Sequence, residues 1–323
     1  MAAEGDNIIR FNYTDEDRRV PRDATHVTID ASVTIISTGA FYFHRNIVEV
    51  IFDRNVKKVE RLAFAECPSL RRLIMPGVEI VEMNAFDGCE ALTDVECGNL
   101  EIIEDSAFSR CESWRSINLL SAKIVKRCAF HTCETLADAK FGGKLESIEG
   151  SAFIDCRSLE RITIPLKDGM ITHDNTFTGC DNLKQVDLVE GEVHATIAAL
   201  QLEEWRNDMY GEINSINRIL PTTPAGSISR WGEHDDDEGG NARAIRTWIR
   251  SVIGKVIHYK AEHQRLLNEQ VATTLELALP RDIVMNNVLP FLELPSYTFE
   301  VGDHEEGEEQ DYLDSEEEDD EDY

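Results

Sequence analysis

The sequence predicts a repeat solenoid of parallel β-strands, followed by an antiparallel α-helical hairpin and a disordered acidic tail. Three observations predict this fold class. A set of residues recurs every 22 to 24 positions, apolar residues take helical spacing after Val193, and Glu300 to Tyr323 holds fifteen acidic residues and no Lys or Arg. We expect an N-terminal extension and cap over 1–34, a solenoid of about seven repeats over 35–192, a helical hairpin with an apolar extension over 193–295, and a tail over 296–323.

An aromatic residue marks each repeat, preceded by Ala in six units and by Thr in the seventh. These residues are Phe41, Phe64, Phe86, Phe108, Phe130, Phe153 and Phe177. Apolar residues at positions +9 and +11 after each Phe alternate with mostly polar ones at +8 and +10, which indicates a short strand with one buried face. A unit this small cannot bury its own apolar edge, so successive units must stack and share a core. Their strands then lie side by side, about 4.8 Å apart.

The motif L-x-x-I-x-I-P, then V-x-x-I, then A-F-x-x-C, resembles the BspA-type (Treponema-like) leucine-rich repeats. The segment CPSLRRLIMPGVEIVEMNAFDGC is close to the family form throughout. The resemblance covers about half of the chain, and it implies a leucine-rich-repeat fold that recognises proteins or surfaces without a shared chemistry. The chain departs from the pattern at Trp114, at Ala139 and in the lengthened turn LKDGMITHD, where we expect local bulges.

Six of the eight cysteines occupy the +3 column, and Cys97 occupies the +11 column. Free cysteine often serves as a small buried hydrophobe, and we expect that role here. No C-x-x-C pair is present, so no zinc or other metal site is predicted. Stacked cysteines would keep their Cβ atoms farther apart than a disulfide prefers, so disulfides along the stack are not expected. Cys128 is the candidate exposed thiol.

After Val193 the apolar spacing predicts one amphipathic helix of about 28 residues, ending near Leu220. A loop rich in Pro, Gly and acidic residues follows, and a second, longer helix runs from Asn241 to Pro280. The two helices are expected to pair as an antiparallel hairpin or short coiled coil. The first turns would cap the last coil of the solenoid, and the remainder could be a docking or dimerisation arm anchored by Trp205 and Trp248.

The C-terminal segments carry two further expectations. The apolar segment from Pro280 to Leu294 is expected to fold back on the hairpin, with a peptide docking motif as the alternative. The tail is low in complexity and self-repelling, which predicts disorder. Within it, Ser315 precedes three Glu residues and is a candidate for an acid-directed kinase.

The net charge of -30 bears on the choice of partner. An acidic body repels nucleic-acid backbone and anionic lipid, so we expect no nucleic acid, no membrane, and a protein partner that is itself basic. The alternative is that the charge serves solubility alone. The N-terminus lacks the pattern of a secretory signal, and no apolar run is long enough to span a bilayer. These features predict a cytoplasmic location, with the nucleus as the alternative.

Nucleotide-binding, hydrolase and metalloprotease motifs are absent from the sequence, so we expect no enzyme and no cofactor. The predicted function is a protein-binding scaffold that uses the outward strand positions. The +8 column is Glu49, Arg72, Asp94, Ser116, Asp138, Arg161 and Gln185. The +10 column is Ile51, Ile74, Glu96, Asn118, Lys140, Thr163 and Asp187. Three alternatives stay open: binding by the hairpin, binding of basic proteins by the acidic tail in the manner of a histone chaperone, and an enzyme whose site is assembled across repeats.

Overall fold

The structure is a computed structural model, and it describes residues 8–16, 20–224 and 240–267. The acidic tail, the apolar extension and most of the loop before the second long helix lie outside the described residues. Most coils contribute two strands, one long and one short. The long strands are β1 (Arg10–Tyr13), β2 (His26–Ile29), β4 (Glu49–Phe52), β6 (Arg72–Ile74), β8 (Asp94–Glu96), β10 (Ser116–Leu119), β12 (Asp138–Phe141), β14 (Arg161–Ile164) and β15 (Gln185–Leu188). The short strands are β3 (Ile35–Ile36), β5 (Lys58–Val59), β7 (Ile80–Val81), β9 (Ile102–Ile103), β11 (Ile124–Val125) and β13 (Ser147–Ile148).

All of the strand pairs in the described chain are parallel, and the predicted parallel solenoid is confirmed. The long strands form two sheets, in the orders β1-β2-β4-β6-β8 and β10-β12-β14-β15. The short strands form one uninterrupted sheet from β3 to β13. This third sheet corresponds to the V-x-x-I part of the motif, for which the sequence predicted no strand. The short strands of successive coils pair with each other, so this sheet joins each coil to the next along a second side of the solenoid.

Two of the long strands come from the segment 1–34, which the sequence predicts to be an extension and cap. β1 and β2 continue the five-stranded sheet beyond the first Ala-Phe unit. The ring of Tyr13 lies 5.0 Å from the ring of Phe41, and Tyr13 is almost fully buried. The segment therefore extends the ladder and covers the first aromatic ring of the core.

The core is a stack of the seven repeat phenylalanines. Neighbouring rings lie 4.4–5.9 Å apart at their centroids and within 18° of parallel. Beside this stack runs the cysteine column. All six of its thiols are buried and free, and each Sγ donates to the carbonyl oxygen of the Phe one coil earlier, at 3.0–3.5 Å. His44 takes the cysteine position in the first unit, and its Nε2 reaches the carbonyl oxygen of Pro21 at 2.8 Å. The predicted core role of the cysteines is confirmed, and Cys128 is half-buried.

The three departures from the repeat pattern have different outcomes. At Trp114 the long-strand sheet is interrupted. At Ala139 the register is continuous with both neighbouring strands, so the expected bulge there is wrong. The turn LKDGMITHD replaces the next short strand by a single bridge between Ile148 and Ile171.

The predicted 28-residue helix is wrong, because the chain forms three helices: α1 (Glu192–Ala199), α2 (Glu203–Ile213) and α3 (Ile216–Ile219). Leu200 and Leu202 take extended backbone conformations and end the first helical run. Leu200 is buried, and its carbonyl oxygen accepts a hydrogen bond from the guanidinium of Arg206. The apolar residues still follow helical spacing across this break, because the apolar side of each helix packs against the same core.

The second long helix, α4 (Asn241–Leu266), begins as predicted, and its predicted end at Pro280 lies outside the described residues. It runs antiparallel to α2. Near the N-terminal end of α2, Trp205 stacks on Tyr259 at 5.4 Å, and near its C-terminal end Glu212 accepts a hydrogen bond from Trp248 through its backbone carbonyl at 3.0 Å. The N-terminal part of α4 also covers the last coil, where Arg246 pairs with Asp174. The hairpin therefore forms, and it caps the solenoid.

Candidate binding face and the cleft beneath the helical cap

The fourteen outward residues of β4 to β15 form the strand face. All of them are exposed or half-buried, while their inward neighbours at +9 and +11 are buried apart from Val95. Parallel register sets Glu49 beside Arg72 and Arg72 beside Asp94 in one sheet. In the other sheet it sets Asp138 beside Arg161. The structure therefore brings the predicted residues together on one surface, in two groups separated between β8 and β10.

The N-terminal group of the strand face centres on one arginine. The guanidinium of Arg72 lies 3.4 Å from Glu49, 3.1 Å from Asp94 and 3.3 Å from Glu96. The hydrogen bond to Glu96 is the main cause of the raised pKa of Arg72. These side chains are solvent-exposed, so the pairs contribute little to stability. Because three carboxylates already surround Arg72, its charge is not available to an incoming anion.

The C-terminal group of the strand face lines a cleft of about 630 Å³. Five predicted face residues form one wall: Asp138, Lys140, Arg161, Thr163 and Asp187. The opposite wall comes from α1 to α3 and the turn before them, and the sequence analysis missed these residues: Glu190, His194, Ile213, Asn214 and Asn217. Helical periodicity could identify Ile213 as apolar, but nothing local indicates that α2 ends above the strand face.

The charges of the cleft are only partly paired. Arg161 donates to Gln185 at 3.0 Å and lies 3.6 Å from Asp187. Asp138 and Lys140, next to them on β12, form no ion pair with any other described residue. A partner could therefore pair with both of these groups without first breaking an existing contact. Both signs of charge are present in the cleft.

His194 adds a polar atom that lacks a partner within the described chain. Its Nδ1 is enclosed and makes no hydrogen bond there, although the residue as a whole is half-buried beside the cleft. A buried ring nitrogen without a partner is costly, so a ligand group or water that satisfied it would be stabilised. The sequence does not indicate that Nδ1 of His194 lacks a partner, because only the fold decides which residues surround this turn of α1.

The helical wall is fixed to the solenoid by a side chain that completes the edge of the sheet. Asn217 accepts a hydrogen bond through Oδ1 from the backbone N–H of Val186, at 2.8 Å. Val186 lies in β15, the last strand of the described chain, whose outer edge pairs with no further described strand. Because an unpaired strand edge is a liability, this contact both protects the edge and sets α3 beside the strand face.

Within residues 8–16, 20–224 and 240–267, no three His, Cys, Asp or Glu residues lie close enough together to hold a metal ion. No helix in this described part combines the length and hydropathy that a bilayer crossing requires.

Together, three parallel sheets, a stacked aromatic core and an open strand face define a repeat solenoid of the leucine-rich-repeat class. Six copies of the BspA-type leucine-rich-repeat region match residues 22–124 and 101–199, which is more than half of the chain. The chain therefore belongs to the BspA-type leucine-rich-repeat family, as its motifs predict. Proteins of this kind are generally non-enzymatic binding scaffolds.

Solved structures give further comparisons. The leucine-rich-repeat protein of T. pallidum is 23% identical, with 50% of this chain and 68% of that chain covered and a TM-score of 0.36. A leucine-rich-repeat protein from Bacteroides ovatus is 22% identical, with coverage of 52% and 61% and a TM-score of 0.26. Human 5T4, a Wnt-activated inhibitory factor, is 16% identical, with coverage of 60% and 83% and a TM-score of 0.34. No curated protein matches the chain.

Proposed function

We propose that this chain is a non-catalytic scaffold that binds a protein partner in the cleft between β12–β15 and helices α1–α3. The observation that carries the proposal is the cleft itself, which joins five residues of the strand face to an overhanging helical wall. Its volume is about 630 Å³.

The chemistry of the cleft favours an extended protein segment. Leu120, which is exposed, and Ile213, which is half-buried, supply apolar surface, and Asp138 and Lys140 supply unpaired charges of opposite sign. Such a surface suits a segment that carries apolar and charged side chains in alternation, because a strand presents both to one wall. The negative charge of the whole chain would steer basic partners toward it.

The test compares two single charge reversals in the full chain. Lys140→Glu reverses an unpaired charge inside the cleft, and Lys144→Glu makes the same change at an exposed residue four positions along the chain, outside the cleft lining. Affinity capture from native extract identifies candidate partners, and titration of a purified partner then measures the affinity. We expect Lys140→Glu to weaken binding about tenfold or more, which corresponds to about 1.4 kcal/mol, while Lys144→Glu leaves it unchanged. Equal affinities for the two variants would remove the cleft as the binding site.

Arg72 and Arg161 are better tested separately than together, because they lie in different sheets. Arg161→Gln removes a charge from the cleft, whereas Arg72→Gln acts on the N-terminal group of the strand face. Loss of binding in the second variant alone would move the site to that group.

The alternative function is binding of basic proteins by the acidic segment 300–323. The observation that favours it is composition, since that segment holds fifteen acidic residues without Lys or Arg. Deleting residues 300–323 distinguishes the two proposals. If the deletion variant keeps its affinity and its salt dependence, the cleft is the binding site. If the deletion variant loses most of its binding and binding by the full chain depends steeply on salt, the tail is the binding site.

A further inference from the structure

Between β1 and β15, all within the described residues, the long-strand side of the solenoid has one discontinuity. β8 and β10 belong to successive coils, yet they do not pair, and they lie farther apart than the other neighbouring long strands. The core residue of β8, Val95, is half-buried, although the other +9 residues are buried. The break therefore opens the core layer locally to solvent.

The backbone hydrogen bonds locate this opening. In the other coils the carbonyl at +7 accepts two N–H groups from the next coil; Val48, for example, accepts from residues 71 and 72 at 2.8 and 3.1 Å. The carbonyl of Thr93, at the same position, accepts neither of the corresponding N–H groups of Arg115 and Ser116 in the described chain. Two bonds bridge the ends of the opening instead: Ser113 N–H to the Glu90 carbonyl at 3.1 Å, and Ser121 Oγ to the Gly98 carbonyl at 2.8 Å.

A single residue explains the opening. Trp114 stands in the +6 column, where five of the other six units have Leu and the first has Ile. Its indole is buried, with centroids 5.3 Å from Phe108 and 6.1 Å from Phe130. Interiors are close-packed, so a larger side chain at a filled position displaces the backbone that carries it. Arg115, the next residue, is the first whose bond to the preceding coil is missing.

The rest of the same coil boundary is intact. β9 and β11 pair in register, joining Ile102 to Ile124 and Ile103 to Val125. On the turn side, the N–H of Phe86 donates to the carbonyl of Ala107 at 2.8 Å. The two coils are therefore held together along two sides and released along the third.

We propose that the boundary between β8 and β10 is a hinge, about which the two halves of the solenoid pivot on the unbroken short-strand sheet. Opening the strand face at another boundary breaks ladder bonds, whereas at this boundary those bonds are already absent. Pivoting changes the distance between the Arg72 group and the cleft, so it varies the shape of the whole strand face. The hinge does not depend on which surface binds the partner.

The experiment measures distances between paired spin labels in the full chain, in a Cys128→Ser background. Thr93→Cys with Glu160→Cys crosses the hinge, and Arg115→Cys with Lys184→Cys lies within the C-terminal half. All four sites are exposed members of the +7 column, and each pair spans three coil steps, about 14 Å at the strand spacing. Dipolar broadening in electron paramagnetic resonance reports the distance between the two labels. The crossing pair should give a longer mean distance and a wider distance distribution than the other pair. Equal widths and means would overturn the hinge.

A second measurement tests the cause. Trp114→Leu restores the residue found in the neighbouring units. It should narrow the distance distribution of the crossing pair to the width found for the pair at residues 115 and 184. In the unsubstituted protein, the amides of Arg115 and Ser116 should exchange with solvent at least tenfold faster than those of Ala137 and Asp138, their counterparts in the next coil. Equal exchange rates, or an unchanged width in a folded Trp114→Leu protein, would refute the assignment. The exchange comparison needs no variant, so it holds even if the substitution prevents folding.

Discussion

The buried thiols should make this solenoid sensitive to alkaline pH. Burial raises the pKa of Cys67 and of Cys97 to about 12, from an ordinary value of 9.0. Burial also raises the pKa of four further cysteines well above that value: Cys89, Cys111, Cys133 and Cys156. These thiols therefore stay protonated in the folded chain at pH values where they ionise in the unfolded chain.

The sign of the effect follows from proton linkage. Above pH 9 the unfolded chain binds fewer protons than the folded chain, so the free energy of unfolding falls as pH rises. The contribution is fully present below 9.0 and is lost between 9.0 and about 12 for Cys67 and Cys97. One pKa unit corresponds to about 1.4 kcal/mol, so each thiol costs about 1.4 kcal/mol at pH 10. Cys67 and Cys97 together cost about 3 kcal/mol at pH 10, which is a substantial part of the total stability of about 5–15 kcal/mol of a typical domain.

The assay is guanidinium chloride denaturation under reducing conditions, from pH 8 to pH 10.5. Cys97 lies outside the +3 cysteine column, and burial is the cause of its raised pKa. Cys97→Ala therefore removes one raised pKa without removing a hydrogen bond of that column. Above pH 9 the free energy of unfolding should fall less steeply with pH in this variant than in the unsubstituted protein. The expected difference in slope is about 1.4 kcal/mol per pH unit. Met75→Ala, at a buried position of the same +11 column, should lower stability at every pH without changing the slope. A slope that Cys97→Ala leaves unchanged would refute the reasoning.

Three further substitutions test the packing. Phe108→Ala should lower the free energy of unfolding by about 3–5 kcal/mol, because it removes a buried ring from the stack; a loss below about 1 kcal/mol in denaturation would contradict this. Gly88→Ala should cost about 1–2 kcal/mol, since Gly88 has a φ of +72° and an added Cβ would lie 3.0 Å from Glu66 Oε1; unchanged thermal stability would show that the turn adapts. Asn217→Ala should cost about 1–3 kcal/mol and speed the exchange of the Val186 amide, and an unaltered exchange rate would exclude its role at the sheet edge.

Much of the solenoid could be predicted because its signals repeat. The period, the buried Phe and Cys columns and the outward positions of the strand face each recur in successive units, so one exception does not hide the pattern. The two N-terminal strands lack the Ala-Phe pair, and β1 and β2 were therefore not recognised as part of the ladder. Helical spacing likewise identified apolar residues after Val193, but it could not show that Leu200 interrupts the helix, because a short extended turn preserves the spacing.

The candidate site divides in the same way. Alternation along the strands predicted that Asp138, Lys140 and Arg161 point outward, and the register confirms it. The opposite wall of the cleft could not be predicted, because His194 and Asn217 reach it only through the packing of separate helices on the last coil. Whether the site binds a partner stays a prediction.

By itself, the sequence determined the repeat length, the parallel stacking, the core role of the cysteines and the polar character of the strand face. These follow from local periodicity, because each unit buries the same columns against its neighbours. Only the tertiary structure decided that the strand face divides at Trp114, that the helices overhang its C-terminal half, and that Asn217 closes the last strand. Those features depend on volumes and contacts between residues far apart in the chain, which periodicity does not encode.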